Sequence, residues 1–218
     1  MRLWNLASAC VATLLGAGFA SAAGTTAYHD PQTGFTFAEC TLQYQIGRSL
    51  VFRVAVPKNV QSLTSYDAVL QVVAPSSAGW VGFAWGGRMI GDPLTVAWSS
   101  GSSVVVSSRR ASDHVGTPQP YSGATYTMLK SGTHINGTHW QYTVMCSGCT
   151  YYSNSAQGKS WIFPTGVNHV AFAYAAARPS NPSSASSGFS IHDVTNNWDH
   201  DFSVGQNDAF ADLVAKNS

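Results

Sequence analysis

Charge is scarce in this sequence. Lys and Arg number 11 and Asp and Glu 10 in 218 residues, so only 10% of positions are charged and the formal net charge is +1, against roughly 25% charged in a typical globular chain. Binding to a phosphate backbone needs clustered cations. The one basic doublet, Arg109-Arg110, reads as a solvated strand end, so nucleic acid is excluded as a partner. Long apolar runs are missing as well: beyond the first residues nothing approaches the ~20 apolar positions of a membrane-spanning helix. No Gly-x-Gly-x-x-Gly fingerprint follows a strand, which leaves this chain without a dinucleotide or flavin domain of its own. Neither a Gly-x-Ser-x-Gly elbow nor a convincing carboxylate pair offers hydrolase or glycosidase chemistry.

The first residues do not belong to the fold. Arg2 supplies a positive start, residues 3–19 are mostly apolar and small, and Ala20-Ser21-Ala22 has the A-x-A form cut by signal peptidase. Residues 1–22 are expected to be a secretory signal peptide and 23–218 one secreted domain. A sequon at Asn136-Gly137-Thr138 fits that compartment, since an Asn-Gly pair favours an exposed hairpin turn where a glycan can be attached.

Cysteine is equally sparse. Cys10 leaves with the leader, and Cys40, Cys146 and Cys149 remain. Cys146-Ser-Gly-Cys149 has the spacing of a redox dithiol, half a zinc site, a c-type haem attachment or a small disulfide. Covalent haem attachment wants His after the second Cys, where Thr150 stands, and a zinc ribbon wants a second pair. A local disulfide in an oxidising compartment is the reading that remains. Cys40 is left over, either as a buried thiol or as a link to another chain.

What the sequence does hold is short runs rich in Val, Ile, Thr and aromatics. Strands are expected at 41–46, 50–56, 68–73, 80–85, 95–98, 103–106, 126–129, 140–145 and 169–174, most of them separated by Gly, Pro, Asn or Ser clusters. Many short strands with closely spaced turns mean an all-β sandwich or barrel. Residues 209–215 are long enough for a turn or two of helix but not for an independently stable one. The Ser- and Pro-rich stretch 178–188 resembles a linker, yet aromatic and apolar residues return after it, so it reads as a long loop on the same domain.

One stretch organises the rest. Trp80-Val-Gly-Phe-Ala-Trp85 has strand composition, Gly86-Gly87 ends it, and Met89 follows. Glycines permit a flat macrocycle to approach the backbone, and a thioether can serve a haem iron as an axial donor. Met128 lies inside an alternating strand and Met145 abuts Cys146, so packing explains both.

The run Gly82-Phe-Ala-Trp-Gly-Gly-Arg-Met89 with Asp92 and Val96-Ala-Trp98, then Ile135-Asn-Gly-Thr-His-Trp140 leading into Cys146-Ser-Gly-Cys149, and finally Phe189-Ser-Ile-His192-Asp, resembles the cytochrome domain of fungal cellobiose dehydrogenase. The likeness keeps the same order over nearly all of the mature chain. It implies an immunoglobulin-like antiparallel β-sandwich binding one haem b non-covalently, with Met89 and His192 as axial ligands of the iron and a small disulfide at Cys146 and Cys149. It also implies a flavin dehydrogenase domain as electron donor and acceptors that include copper-dependent polysaccharide monooxygenases.

Inspection of the histidines converges on part of this. His134 and His139 flank the turn carrying the sequon, His29 lies near the mature N-terminus, His169 begins a strand and His114 sits in a polar loop. His192 and His200 remain, with His192 preferred. Asp199-His200-Asp201 alternatively suggests a hard-metal site. A Met/His pair fills both axial positions, so the iron changes oxidation state without binding substrate. Two rival readings share the composition: a carbohydrate-binding sandwich using Trp80, Trp85, Trp98, Trp140 or Trp161 as stacking platforms, and an extracellular ferric or quinone reductase.

Overall fold

A computed structural model describes residues 24–154 and 158–218. The leader expected at 1–22, with Cys10, lies outside the described residues. Two antiparallel sheets face each other. The first runs in the order Thr26–His29, Thr36–Gln45, Arg48–Pro57, Ala68–Pro75, His139–Ser147, His134–Ile135; Thr125–Met128 also pairs with His139–Ser147, and Gln206–Asn207 adds a short parallel contact to Arg48–Pro57. The second runs Val194–Asp201, Val167–Ala175, Trp80–Ala84, Leu94–Ser100, Ser103–Arg110, Gln119–Pro120. A separate two-stranded ribbon joins Tyr151–Asn154 to Gly158–Trp161. The fold is the β-sandwich expected from the sequence, and each of the nine expected strands overlaps an observed one.

Side chains alternate across a strand, so every second residue can enter the space between two sheets. Leu50, Phe52, Val54 and Val56 do so from the first sheet, and Val81, Phe83, Val170, Phe172 and Trp198 from the second. Phe52 is the meeting point: its ring lies 5.8 Å from Phe83, 5.7 Å from Phe172 and 5.2 Å from Trp198. Truncating a buried phenylalanine to Ala typically costs about 3–5 kcal/mol, so these rings carry much of the sheet-to-sheet attachment. Cys146 and Cys149 are joined in a disulfide at the margin of this core. Cys40 is also buried there, and burial, with Glu39 adding to it, pushes its thiol up to about 11. That placement keeps it from bonding to another chain.

One strand escapes sequence patterning. Val194–Asp201 is extended although Asn196-Asn197 resembles a turn; only Trp198 and His200 are buried along it, and pairing with Val167–Ala175 overrides local preference. Phe210–Asn217 is the short helix of about two turns expected near 209–215. Its Phe210 ring packs 5.7 Å from Phe35 on the outer face of the first sheet, and the Asn217 amide donates to Thr33 O at 2.9 Å. Tertiary contacts supply what eight residues of helix lack.

Candidate functional site

The outer face of the second sheet is where the chain departs from ordinary sandwich packing. In register, Gly82 stands opposite Ala173 and Val96, and Ala84 opposite Ala171 and Leu94; Ala173 and Ala171 in turn face Thr195 and Asn197. The middle of this face therefore carries almost no side chain. Above it opens a cavity of about 620 Å³. A methyl group added at Gly82 would meet Trp80, Ala173 and Val96 at 3.4 to 3.8 Å, ordinary contact, and its backbone has no positive φ. Neither conformation nor packing demands glycine there. Its bare Cα leaves that part of the cavity floor open.

Met89 reaches this cavity on a short arm whose ends are both fixed. Gly87 adopts φ +79°, and a Cβ there would strike the His169 ring. Asp92, 1% exposed, then holds the arm from behind: Oδ2 accepts the Arg88 N–H at 2.9 Å, while Oδ1 accepts from Asn154 Nδ2 at 2.8 Å and Tyr152 Oη at 3.2 Å. Burial raises this carboxyl above its ordinary range, against the opposing pull of those donors. Beyond the methionine, Gly91 N–H donates to Ala111 O at 2.9 Å, and Ile90 bridges to Ala111. Between these anchors Met89 packs against the cluster of Trp80, Ala84, Leu94 and Val96 and lines the cavity.

His192 lines the same cavity, on an exposed segment after the long loop. The next residue pins that segment to the sheet: Asp193 N–H donates to Tyr174 O and its Oδ2 accepts from Ala176 N, both at 2.8 Å. Before it, the Phe189 ring lies 4.8 Å from Trp80 and 6.3 Å from Trp98. Loop 178–188 is tied down too. Trp98 Nε1 donates to Pro182 O at 2.7 Å, and Arg109 reaches two further carbonyls of the loop. Arg109 is thus no solvated strand end: it is 2% exposed and spends every donor nitrogen inside the fold.

The remaining candidates separate cleanly. His200 is buried away from the cavity: Nδ1 accepts from Trp198 Nε1 at 3.1 Å, so Nε2 carries the hydrogen and donates to Ala38 O at 2.9 Å. With both nitrogens engaged it has no lone pair to offer a metal. Among the described residues no group of three or more His, Cys, Asp or Glu could hold a metal ion, which removes the hard-metal reading of Asp199-His200-Asp201. His114, assigned from sequence to a polar loop, does border the cavity, beside Gly116, Thr117 and Pro118. Trp80, Trp85, Trp98 and Trp140 are all buried and present no surface for sugar stacking, and half-buried Trp161 donates its N–H to Thr64 O. No helix among the described residues is long and apolar enough to cross a membrane.

Residues 28–212 match the family model described as the cytochrome domain of cellobiose dehydrogenase. The chain belongs to this cytochrome-domain family. A pyrroloquinoline quinone-dependent pyranose dehydrogenase from Coprinopsis cinerea is 33% identical over 189 residues; the match covers 85% of this chain and 25% of that protein, so the chain spans about a quarter of its relative's length. The crystal structure of the cytochrome b domain of pyranose dehydrogenase from Coprinopsis cinerea superposes with a TM-score of 0.76 at 27% identity, covering 89% of this chain and 96% of that one. The cytochrome domain of Myriococcum thermophilum cellobiose dehydrogenase shares the fold, with a TM-score of 0.77 at 22% identity over the same shares. Membership of a cytochrome-domain family implies a b-type haem, and the cavity suits one: a floor of glycine and alanine, apolar walls, and a thioether and an imidazole on its lining.

Proposed function

We propose that the chain would hold one haem b non-covalently in the cavity bordered by Gly82, Ala84, Ala171 and Ala173, with Met89 and His192 as the donors to its iron, and that it relays single electrons. The observation that carries this reading is that these two residues, far apart in sequence, line the same cavity, over a stretch of sheet that glycine and alanine leave nearly bare. A haem bound there would supply one-electron exchange at iron. Met89 offers a soft donor that favours the ferrous state; His192 offers the stronger nitrogen donor. With Met89 and His192 both donating, the protein would leave a small substrate no position on the metal. The apolar walls, Phe189 and Leu94 among them, disfavour the additional positive charge of ferric iron. Attachment through sulfur has no place in this scheme, because Cys146 and Cys149 bond to each other and Thr150 follows them.

The donor follows from the relatives. A sugar-oxidising dehydrogenase domain, flavin-dependent as in cellobiose dehydrogenase or quinone-dependent as in the pyranose dehydrogenase, would deliver electrons, and extracellular acceptors such as copper-dependent polysaccharide monooxygenases would receive them. A leader at 1–22, with its A-x-A site at Ala20-Ser21-Ala22, would carry the domain outside the cell. Asn136 is the proposed glycan site: it is exposed, and its Oδ1 accepts the N–H groups of Thr138 and His139 at 2.9 and 2.8 Å in a tight turn at the sheet margin.

Reconstitution with haem tests the proposal. The expected product is a six-coordinate low-spin protein whose haem is extracted into acidified organic solvent. A protein that acquires no Soret band overturns the reading, and haem that stays with the polypeptide overturns the b-type assignment.

A further inference from the structure

Arg109 stands directly behind the cavity wall. It ends the row Val105, Ser107, Arg109 on the cavity side of Ser103–Arg110, and its cross-strand neighbour is Leu94, a lining residue. Its guanidinium lies 5.3 Å from the centre of the Phe189 ring, a second lining residue. The donors are shared between two loops. Nη1 donates to Pro118 O at 3.0 Å in the loop that carries His114 and Thr117, while Nη2 donates to Ala185 O at 2.8 Å and Ser187 O at 2.6 Å in the loop that leads to His192. Nε donates to Ser107 Oγ at 2.6 Å, and Ser107 Oγ donates onward to Ala185 O at 2.5 Å. Thr117 Oγ1, donating to Phe189 O at 3.2 Å, adds a second tie between the same loops.

Among the described residues no carboxylate pairs with this cation: Arg53 pairs with Glu39, Lys58 with Asp208 and His169 with Asp199, while Arg109 meets only neutral acceptors and the Phe189 ring. A guanidinium removed from water and answered only by carbonyl and hydroxyl dipoles keeps a strong field in its surroundings, because little solvent is left to screen it. The planar fork also does what an ammonium cannot, bonding several acceptors in fixed directions at once. An apolar residue could fill the volume, but it could not join the two loops.

We infer that Arg109 is the positioning residue of the histidine side of the cavity: it clamps loop 112–118 to loop 178–188 so that Phe189 and His192 are held over the floor, and its unpaired charge biases the bound iron toward the ferrous state. This rests on the haem reading above. The clamp acts through the loops and touches no donor atom of the iron, so its loss alters the setting of His192 rather than removing a ligand.

Two substitutions separate the clamp from the charge. Arg109→Lys keeps a cation that cannot reach Ser107, Pro118, Ala185 and Ser187 together; Arg109→Gln loses the cation too. In haem-free protein, amide hydrogen exchange across 112–118 and 178–188 should quicken several-fold in both variants, with Trp80–Ala84 and Val167–Ala175 as protected as before. In haem-loaded protein, haem transfer to excess apomyoglobin should quicken several-fold in both, and only Arg109→Gln should show a more negative reduction potential. Unchanged loop exchange overturns the clamp whether or not haem binds, whereas failure of the haem reading shows separately as a missing Soret band in the unsubstituted protein. Equal potentials in the two variants overturn the role of the charge. Should Arg109→Gln fail to fold, Arg109→Lys carries the exchange test alone, and unchanged loop exchange in that variant overturns the clamp equally.

Discussion

The carboxylate of Asp92 accepts the backbone N–H of Arg88 across 2.9 Å, so the residue just before Met89 is held by a buried side chain rather than by the sheet. Asp92→Ala removes the acceptor of that N–H, of the Asn154 amide and of the Tyr152 hydroxyl, and the latter two, being buried, would cost about 1–3 kcal/mol each where no other acceptor replaces it. Thermal melts should show the lost stability. The spectrum of the haem-loaded variant should show more: a mixture of low-spin and high-spin forms, because the methionine arm is no longer fixed. A destabilised variant with a wholly normal low-spin spectrum would separate Asp92 from the positioning of Met89.

The two donors should respond differently. Met89→His replaces a thioether with a nitrogen that suits ferric iron, so the iron stays six-coordinate while the reduction potential falls by on the order of 0.1 V, a fraction of the ~0.8 V that axial ligands span. His192→Ala should release much of the haem or leave it high-spin. His200→Gln should keep the low-spin spectrum. Visible spectra with redox titration on the three variants decide this, and a normal His192→Ala beside a damaged His200→Gln would refute the ligand assignment.

Gly82 gives a test independent of ligands. Gly82→Ala meets its neighbours at ordinary contact distances, so stability should change by no more than about 1 kcal/mol, in the favourable direction expected when glycine leaves a strand interior. Gly82→Leu should fold too, yet its side chain would stand where the planar ligand lies, and haem affinity should collapse. Denaturant melts paired with haem titration separate folding from binding; full haem affinity in Gly82→Leu would place the ligand elsewhere.

His200 makes stability depend on pH. Burial lowers its pKa to about 4 from an ordinary 6.5, opposed by the bond to Ala38 and by Asp201. The folded value lies below the unfolded one, so the fold prefers the neutral ring. That contribution is fully present above about pH 6.5 and is lost as the pH falls from there toward 4, up to roughly 3 kcal/mol in all. Urea unfolding between pH 7.5 and 4 should show a loss that flattens in His200→Gln. An identical slope in both proteins would show that another group carries it.

The strands were legible because their information is local: alternation in Arg48–Pro57 or Val167–Ala175 can be read residue by residue. Met89 could be singled out for the same reason, standing just past Gly86-Gly87, and it lines the cavity. Asp92 and Arg109 were not assigned these roles. A buried charge has meaning only through its partners, and theirs lie far along the chain: Tyr152 and Asn154 are 60 and 62 residues beyond Asp92, and Ala185 is 76 beyond Arg109. The strand Val194–Asp201 was hidden by polar residues that face outward, and its identity comes from the neighbour it pairs with. His114 at the cavity margin belongs to the same class, brought there by loop closure.

Phe52, Phe83, Phe172 and Trp198 meet between the sheets, whereas the cavity lies on the opposite side of the second sheet. The contacts between the sheets are therefore made among protein side chains on the face turned away from the cavity. A ligand taken up in the cavity would add to that core rather than replace part of it, and by binding only the folded state it would raise the stability of the sandwich further.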